Sequence, residues 1–193
     1  DAVRAAVNDK TIAILLEPIQ AEAGILVPDD GYLKGIRDIC DEFGLLMILD
    51  EIQTGLARTG KMFAYEHEGV KPDIMTVGKA LGGGMFPVSA AISSREIMSA
   101  FTPGTHGSTF GGNPLACAIA DAALDVLEND GLVEKSARVG AYFMSKLHEI
   151  DSPHIKKIRG KGLWVGVVLK PEAGGARRFC EALAERGVLC KET

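Results

Sequence analysis

The chain has 193 residues, 47% hydrophobic and 24% charged, with a formal net charge of −5, the make-up of an ordinary folded domain, with one good core or a core plus a small lobe. A mildly acidic chain, pI about 5.4, is a poor partner for nucleic acid or an anionic membrane surface. No apolar run approaches the roughly 20 residues of a membrane-spanning helix.

Residues 1–9 read as the end of a helix. Thr11 to Glu17 is a mostly apolar run, and Pro18 stops it, which predicts a buried strand. Glu17 and Glu22 flank the turn that follows. Asp29 and Asp30 then precede apolar positions at Tyr32, Leu33, Ile36, Ile39, Cys40 and Phe43, with Gly44 behind them. That spacing, with an acidic start and a glycine stop, predicts a helix. Leu45 to Leu49 is continuously apolar and reads as a strand buried on both faces, as in a parallel sheet. Strand, helix, strand is a βαβ unit, so the fold class expected is α/β with a mainly parallel sheet. Asp50 sits at the strand's carboxyl end, where open α/β sheets bind ligands.

Gly55 to Lys61 matches the first seven positions of a phosphate-binding P-loop, but Met62 stands where Ser or Thr should ligate magnesium. The plainer reading is a glycine-containing loop. Asp73 to Val77 is another short strand, and Gly78-Lys79 leaves its end. Gly82, Gly83 and Gly84 permit close backbone approach without forming a dinucleotide fingerprint. Pro87 to Ile92 reads as a strand and Arg95 to Ala100 as a short helix.

His106 to Pro114 is polar and rich in glycine. Small hydroxyl residues among glycines suit a phosphate, though such a stretch is also a plain loop. Asn113 caps, and Pro114 starts, a helix to about Asn129, ended by Gly131. A second helix, roughly 132–150, carries Leu132, Val139, Phe143, Leu147 and Ile150 on one face. Ile155 to Leu169 reads as antiparallel strands, Ala176 to Arg186 as a helix, and Val188 to Cys190 as the start of a further strand. The division expected is a large unit over 1–131 and a linking helix with a smaller α+β lobe over 132–193. No internal repeat or low-complexity segment interrupts it.

A carboxylate at Asp50 and an amine at Lys79, delivered to one sheet edge, suit pyridoxal phosphate. A lysine amine forms a Schiff base with its aldehyde, and an aspartate keeps its ring nitrogen protonated. Ile52, two positions on, shares the face of Asp50 and is placed to pack on the ring. Gln53 is placed to donate to the phenolic oxygen. The rival reading makes Asp50 a turn cap and Lys79 one solvated lysine among many.

The segments LLEPIQAEAGILVP, LLMILDEIQTGLARTGKMFAYEHEGVKPDI, VGKALGGGMFPVSAA and HGSTFGGNPLACA together resemble the class III (subgroup II) pyridoxal-phosphate-dependent aminotransferases of fold type I. The resemblance runs through nearly the whole chain. Leu56-Ala57-Arg58-Thr59-Gly60 and Phe86-Pro87-Val88-Ser89-Ala90 are similar to the branch of that class that transaminates ornithine. Acetylornithine-specific members usually show V-G-R-T-G and F-P-I-G-A there.

The resemblance implies an amino-group transfer between small amino and oxo acids, with ornithine and 2-oxoglutarate giving glutamate 5-semialdehyde and glutamate. Acetylornithine and 4-aminobutyrate remain alternatives. It implies pyridoxal 5'-phosphate on Lys79, with Asp50 at the ring. It implies that Glu22 gates the substrate site by pairing with an arginine beyond Thr193, and that Glu17 lies near the cofactor. Thr109, with Ser108 beside it, would reach the cofactor phosphate of a neighbouring subunit, so a homodimer with shared sites is expected. The chain starts without Met and is shorter than the family's members, so it reads as an internal fragment, and alone it would be inactive. Cys40, Cys117, Cys180 and Cys190 lack metal spacing, which fits reduced thiols in an intracellular setting: the cytoplasm, or the mitochondrial matrix in a eukaryote. The other readings are a catalytically silent module and a P-loop-like nucleotide binder.

Overall fold

Alternating helix and strand set the frame of the computed structural model, which describes all 193 residues. Helix α1 (Ala2–Ala6) leads into β1 (Ala13–Leu16). Helix α2 (Tyr32–Phe43) returns the chain, so that β2 (Leu46–Asp50) lies parallel to β1, from Ala13 opposite Leu46 to Leu16 opposite Leu49. Strand β3 (Ile74–Val77) adds parallel to β2, with Asp50 opposite Thr76. Strand β4 (Ala90–Ser93) completes the order β1-β2-β3-β4, antiparallel to β3. The fold is α/β with a mostly parallel sheet, as the sequence predicts.

Helix α2 ends where expected. Gly44 adopts φ 65°, and its N–H donates to the Cys40 carbonyl, a left-handed cap that glycine reaches without steric cost. Leu33, Ile36 and Cys40 on its inner stripe pack with Leu45, Met47, Leu49 and Val70. Met47 and Leu49 lose all contact with solvent, which stabilises the fold by roughly 1.5–3 kcal/mol each.

Within this chain the strands are covered on one face. Leu46, Ile48 and Asp50 are only half-buried, and Leu15 is 66% exposed. Side chains alternate along a strand, and both covering helices land on one face. Besides α2, this is α4 (Pro114–Asn129), which follows the short α3 (Arg95–Met98) and brings Ala120, Leu124 and Leu127 against Met75 and Val77. The opposite face, bearing Leu15, Ile48, Asp50 and Thr76, stays half-open.

Helix α5 (Leu132–His148) leads to a hairpin of β5 (Ile155–Lys161) and β6 (Trp164–Leu169), and α6 (Arg177–Ala184) follows. The apolar stripe read from the sequence is not the face on which α5 packs. Phe143 is 45% and Ile150 52% exposed, whereas Ser136 and Gly140 are buried. Small residues win because two backbones meet there: a Cβ on Gly140 would fall 2.2 Å from the carbonyl carbon of Gly162. The expected strand at 188–190 is also absent. Neither β5 nor β6 offers it a ladder; instead the Val188 N–H donates to the Leu183 carbonyl at 2.9 Å and closes α6. No helix is long and apolar enough to cross a membrane.

Candidate active site

The parallel register of β2 and β3 builds the site. Asp50 ends β2 opposite Thr76, and the Glu51 N–H donates to the Thr76 carbonyl at 3.0 Å, carrying the pairing one step further. Beyond β3, Gly78 is extended and buried, and exposed Lys79 opens a 3-10 turn over Lys79–Gly82. Lys79 has φ 46°, a left-handed conformation that costs a non-glycine residue about 1–2 kcal/mol. Strain of this kind collects at functional positions.

Asp50 is held on one side only. Its Oδ1 accepts from the Thr76 hydroxyl at 3.1 Å and from the Ile52 N–H at 3.0 Å. Both donors go to the same oxygen, so Oδ2 is the one open to a ligand. Ile52 packs over the residue before the lysine: a Cβ on Gly78 would lie 3.5 Å from Ile52 Cγ1. Asp50 at the end of β2 and exposed Lys79 just past the end of β3 are thus delivered to one sheet edge, with Ile52 over the intervening Gly78.

Glu22 joins them. Its carboxylate accepts from Lys191 Nζ at 2.6 Å. The Lys191 hydrogen bond and charge hold the Glu22 carboxyl below its ordinary range, and the Lys79 ammonium and Gln53 amide pull the same way. Gln53 and Lys79 thus lie near enough to Glu22 to favour its charged form. Glu17 instead serves its own turn, accepting from the Ala21 N–H at 3.2 Å. Ser108 and Thr109 lie in a loop, 101–112, that is exposed throughout. There the Gly111 N–H donates to the Ser108 hydroxyl at 3.2 Å, and no hydrogen bond ties the loop to Asp50 or Lys79.

Two residues the sequence reading passed over shape this edge. Glu51 is fully buried and accepts from the Thr54 hydroxyl, from the Ala64 N–H at 3.0 Å and from the Tyr65 N–H at 2.9 Å. Burial pushes its carboxyl up, and these donors oppose the shift without cancelling it. It pins the 54–65 loop beneath Asp50. The signal was a second acid directly after the strand, with Thr54 three residues on. The other is Thr76, which read only as a strand residue.

The P-loop resemblance fails on geometry. A Cβ on Gly162 would fall 2.3 Å from the Thr59 carbonyl carbon, and one on Gly60 would fall 3.0 Å from Ala137 Cα. The Arg58 carbonyl accepts from the Leu163 N–H at 3.1 Å. The loop's backbone is packed against α5 and the hairpin, so its interior has no room for a phosphate.

The family model described as aminotransferase class-III matches residues 1–193. Ornithine aminotransferase 2 of Staphylococcus saprophyticus is 56% identical over 193 residues, which is 100% of this chain and 48% of that protein. A solved structure of Plasmodium falciparum ornithine delta-aminotransferase superposes with a TM-score of 0.95 at 41% identity, covering 99% of this chain and 51% of its own. Acetylornithine aminotransferase from Elizabethkingia anophelis superposes with a TM-score of 0.90 at 49% identity, covering 94% of this chain and 46% of its own. The chain spans about half the length of the curated relatives it matches. With a family model matched from end to end and the same fold in those structures, the chain belongs to the class III aminotransferase family.

Proposed function

We propose that the protein to which this chain belongs is a pyridoxal-phosphate-dependent aminotransferase that moves the δ-amino group of ornithine to 2-oxoglutarate, giving glutamate 5-semialdehyde and glutamate. One observation carries the reading: Asp50 ends β2 with both its protein donors on Oδ1, and the exposed Lys79 leaves the end of the neighbouring parallel strand β3, with Ile52 packed over Gly78 before it. These donors fit the cofactor, whose ring nitrogen needs an acceptor and whose aldehyde needs an amine. When bound, the cofactor supplies a ring that accepts electrons from the substrate carbon.

Asp50 Oδ2 would accept the hydrogen bond of the ring N–H, Ile52 would cover the ring and keep water from it, and Gln53 would donate to the phenolic oxygen. Lys79 would hold the cofactor through its amine, and its Nζ would serve as general base and then acid for the substrate's proton. Glu22 gates the mouth, held back by Lys191, and Glu17 braces the turn behind it. Ser108 and Thr109 serve the phosphate of a neighbouring subunit across a homodimer interface, a role supported by the exposure of their loop. Residues 1–131 form part of the cofactor domain, and 132–193 the linking helix and part of the small lobe. The four free cysteines suit an intracellular setting.

A second reading, acetylornithine as amino donor, is favoured by the 49% identity to the Elizabethkingia anophelis enzyme. The test of the first is borohydride reduction of the full-length protein, followed by digestion and mass spectrometry. A pyridoxyl group on Lys79 is expected; its absence with cofactor supplied would overturn the proposal. Rates with ornithine, N-acetylornithine and 4-aminobutyrate then decide the donor.

A further inference from the structure

We infer that Thr76 is a positioning residue for cofactor recognition, aiming Asp50 Oδ2 at the ring nitrogen; this rests on the pyridoxal phosphate reading above. A carboxylate by itself has two equivalent oxygens, and the torsion that turns its plane has broad, nearly two-fold preferences. Something must therefore distinguish Oδ1 from Oδ2. Here two donors on one oxygen do so, the Thr76 hydroxyl at 3.1 Å and the Ile52 N–H at 3.0 Å.

The backbone sets the distance. Asp50 and Thr76 are directly opposed in the parallel ladder, so their side chains leave the same face from strands about 5 Å apart. The Glu51 N–H to Thr76 carbonyl bond, 3.0 Å, stops the strand ends from splaying. Threonine is restricted at χ1 because it is β-branched, which narrows the directions open to its hydroxyl. The Ile52 amide belongs to the turn after β2, so each donor comes from a different element. Losing Thr76 leaves Asp50 tethered only to its own turn, and its plane free to rotate about that one contact. Thr76 does not touch the reacting atoms; it acts through Asp50.

Pyridoxal phosphate and its 1-deaza analogue, in which a C–H replaces the ring nitrogen, separate this role from a merely structural one. Both offer the same aldehyde and phosphate, but only the first pairs with Asp50. Binding is measured by absorbance titration of full-length apoenzyme carrying Thr76→Val, which keeps the shape and loses the donor. Thr76→Ala is the second donor-free variant, and Thr76→Ser restores the hydroxyl.

Losing a hydrogen bond to a charged group should weaken pyridoxal phosphate about 10-fold, while the deaza analogue changes by less than about 2-fold. Thr76→Ala should repeat this difference, and Thr76→Ser should recover to within about 3-fold of the unaltered protein. Equal weakening of both ligands, unchanged affinity for both, or failure of Thr76→Ser to recover would overturn the positioning role. Asp50→Ala is the control for the reading beneath it. If that variant does not discriminate between the two ligands, Asp50 does not meet the ring nitrogen, and the cofactor assignment at this residue falls rather than the role of Thr76 alone.

Discussion

Replacing Gly140 by alanine sets two effects of opposite sign against each other. Glycine in a helix interior is about 1 kcal/mol less favourable than alanine, so propensity alone says that Gly140→Ala stabilises. Packing says the reverse. The new Cβ would lie 2.2 Å from both the carbonyl carbon and the oxygen of Gly162, and 2.7 Å from its Cα. That is roughly 1 Å inside any tolerable contact between carbon and backbone atoms. Gly162 has no room to retreat, because a Cβ on its own far side would already fall 2.3 Å from Thr59. Overpacking against backbone on both sides belongs at the upper end of the 1–3 kcal/mol range or beyond it. The net loss is then about 2 kcal/mol, or roughly 2–4 °C in Tm for a full-length protein about twice as long as this chain. Gly35→Ala is the internal control: it also sits within a helix, and its Cβ would meet nothing within 4 Å. That variant should gain about 1–2 °C. Thermal melts of both variants in the full-length holoenzyme, followed by circular dichroism, decide the matter. If Gly140→Ala melts at or above the unaltered protein, the backbone contact between α5 and the hairpin turn is not as described.

Other perturbations probe the site and its frame. Lys79→Ala should lose multiple turnover almost completely while the fold is retained, and measurable turnover in steady-state assays would refute the role of this lysine. Because Lys79 holds φ 46°, Lys79→Gly should melt higher than Lys79→Ala, by about 1 kcal/mol; equal melting would mean that the residue relaxes when its amine is removed. Asp50→Ala should lower kcat more than Thr109→Ala, and the opposite order would make phosphate anchoring the dominant contribution. Asp73 carries a pH signature. Burial raises its carboxyl, but the Met47 N–H and the Arg37 guanidinium, each at 2.7 Å, outweigh burial and leave it below the ordinary range. A folded-state pKa below the unfolded one means stabilisation that is present above about pH 4 and lost as pH falls through the lower folded value. The Tm gap between the unaltered protein and Asp73→Asn should therefore narrow below about pH 4, and a gap constant from pH 7 to 3 would contradict the assignment.

How much of this was legible in the sequence depends on the kind of physics involved. Periodicity and most end signals are local and read correctly, although α2 starts on Gly31, in a left-handed conformation with no side-chain hydrogen bond, and not on an aspartate cap. The stripe Leu33, Ile36, Cys40 and the cap at Gly44 predicted α2, and the Asn113 side chain accepts from the Leu115 and Ala116 N–H groups at the start of α4. The apolar run into Asp50 placed a carboxylate at a strand end, and the same logic placed Lys79. Pairings between elements were not legible. The Thr76 hydroxyl finds Asp50 only because β2 and β3 align in one register. Glu51 becomes a buried acceptor only when the chain returns thirteen residues later to present the Ala64 N–H.

In two places the pattern of hydrophobicity and the arrangement of these residues differ. On α5 the contact with the hairpin is made by small residues, because where two backbones touch, side-chain size matters more than transfer energy. At 188–190 the apolar run pairs with neither β5 nor β6, the two strands of the hairpin. The sequence by itself determined most of the elements and proposed the two residues for the chemistry. The tertiary structure alone decided which oxygen of Asp50 is open and which face of α5 is buried, because both depend on the distance between chain segments that no local pattern encodes.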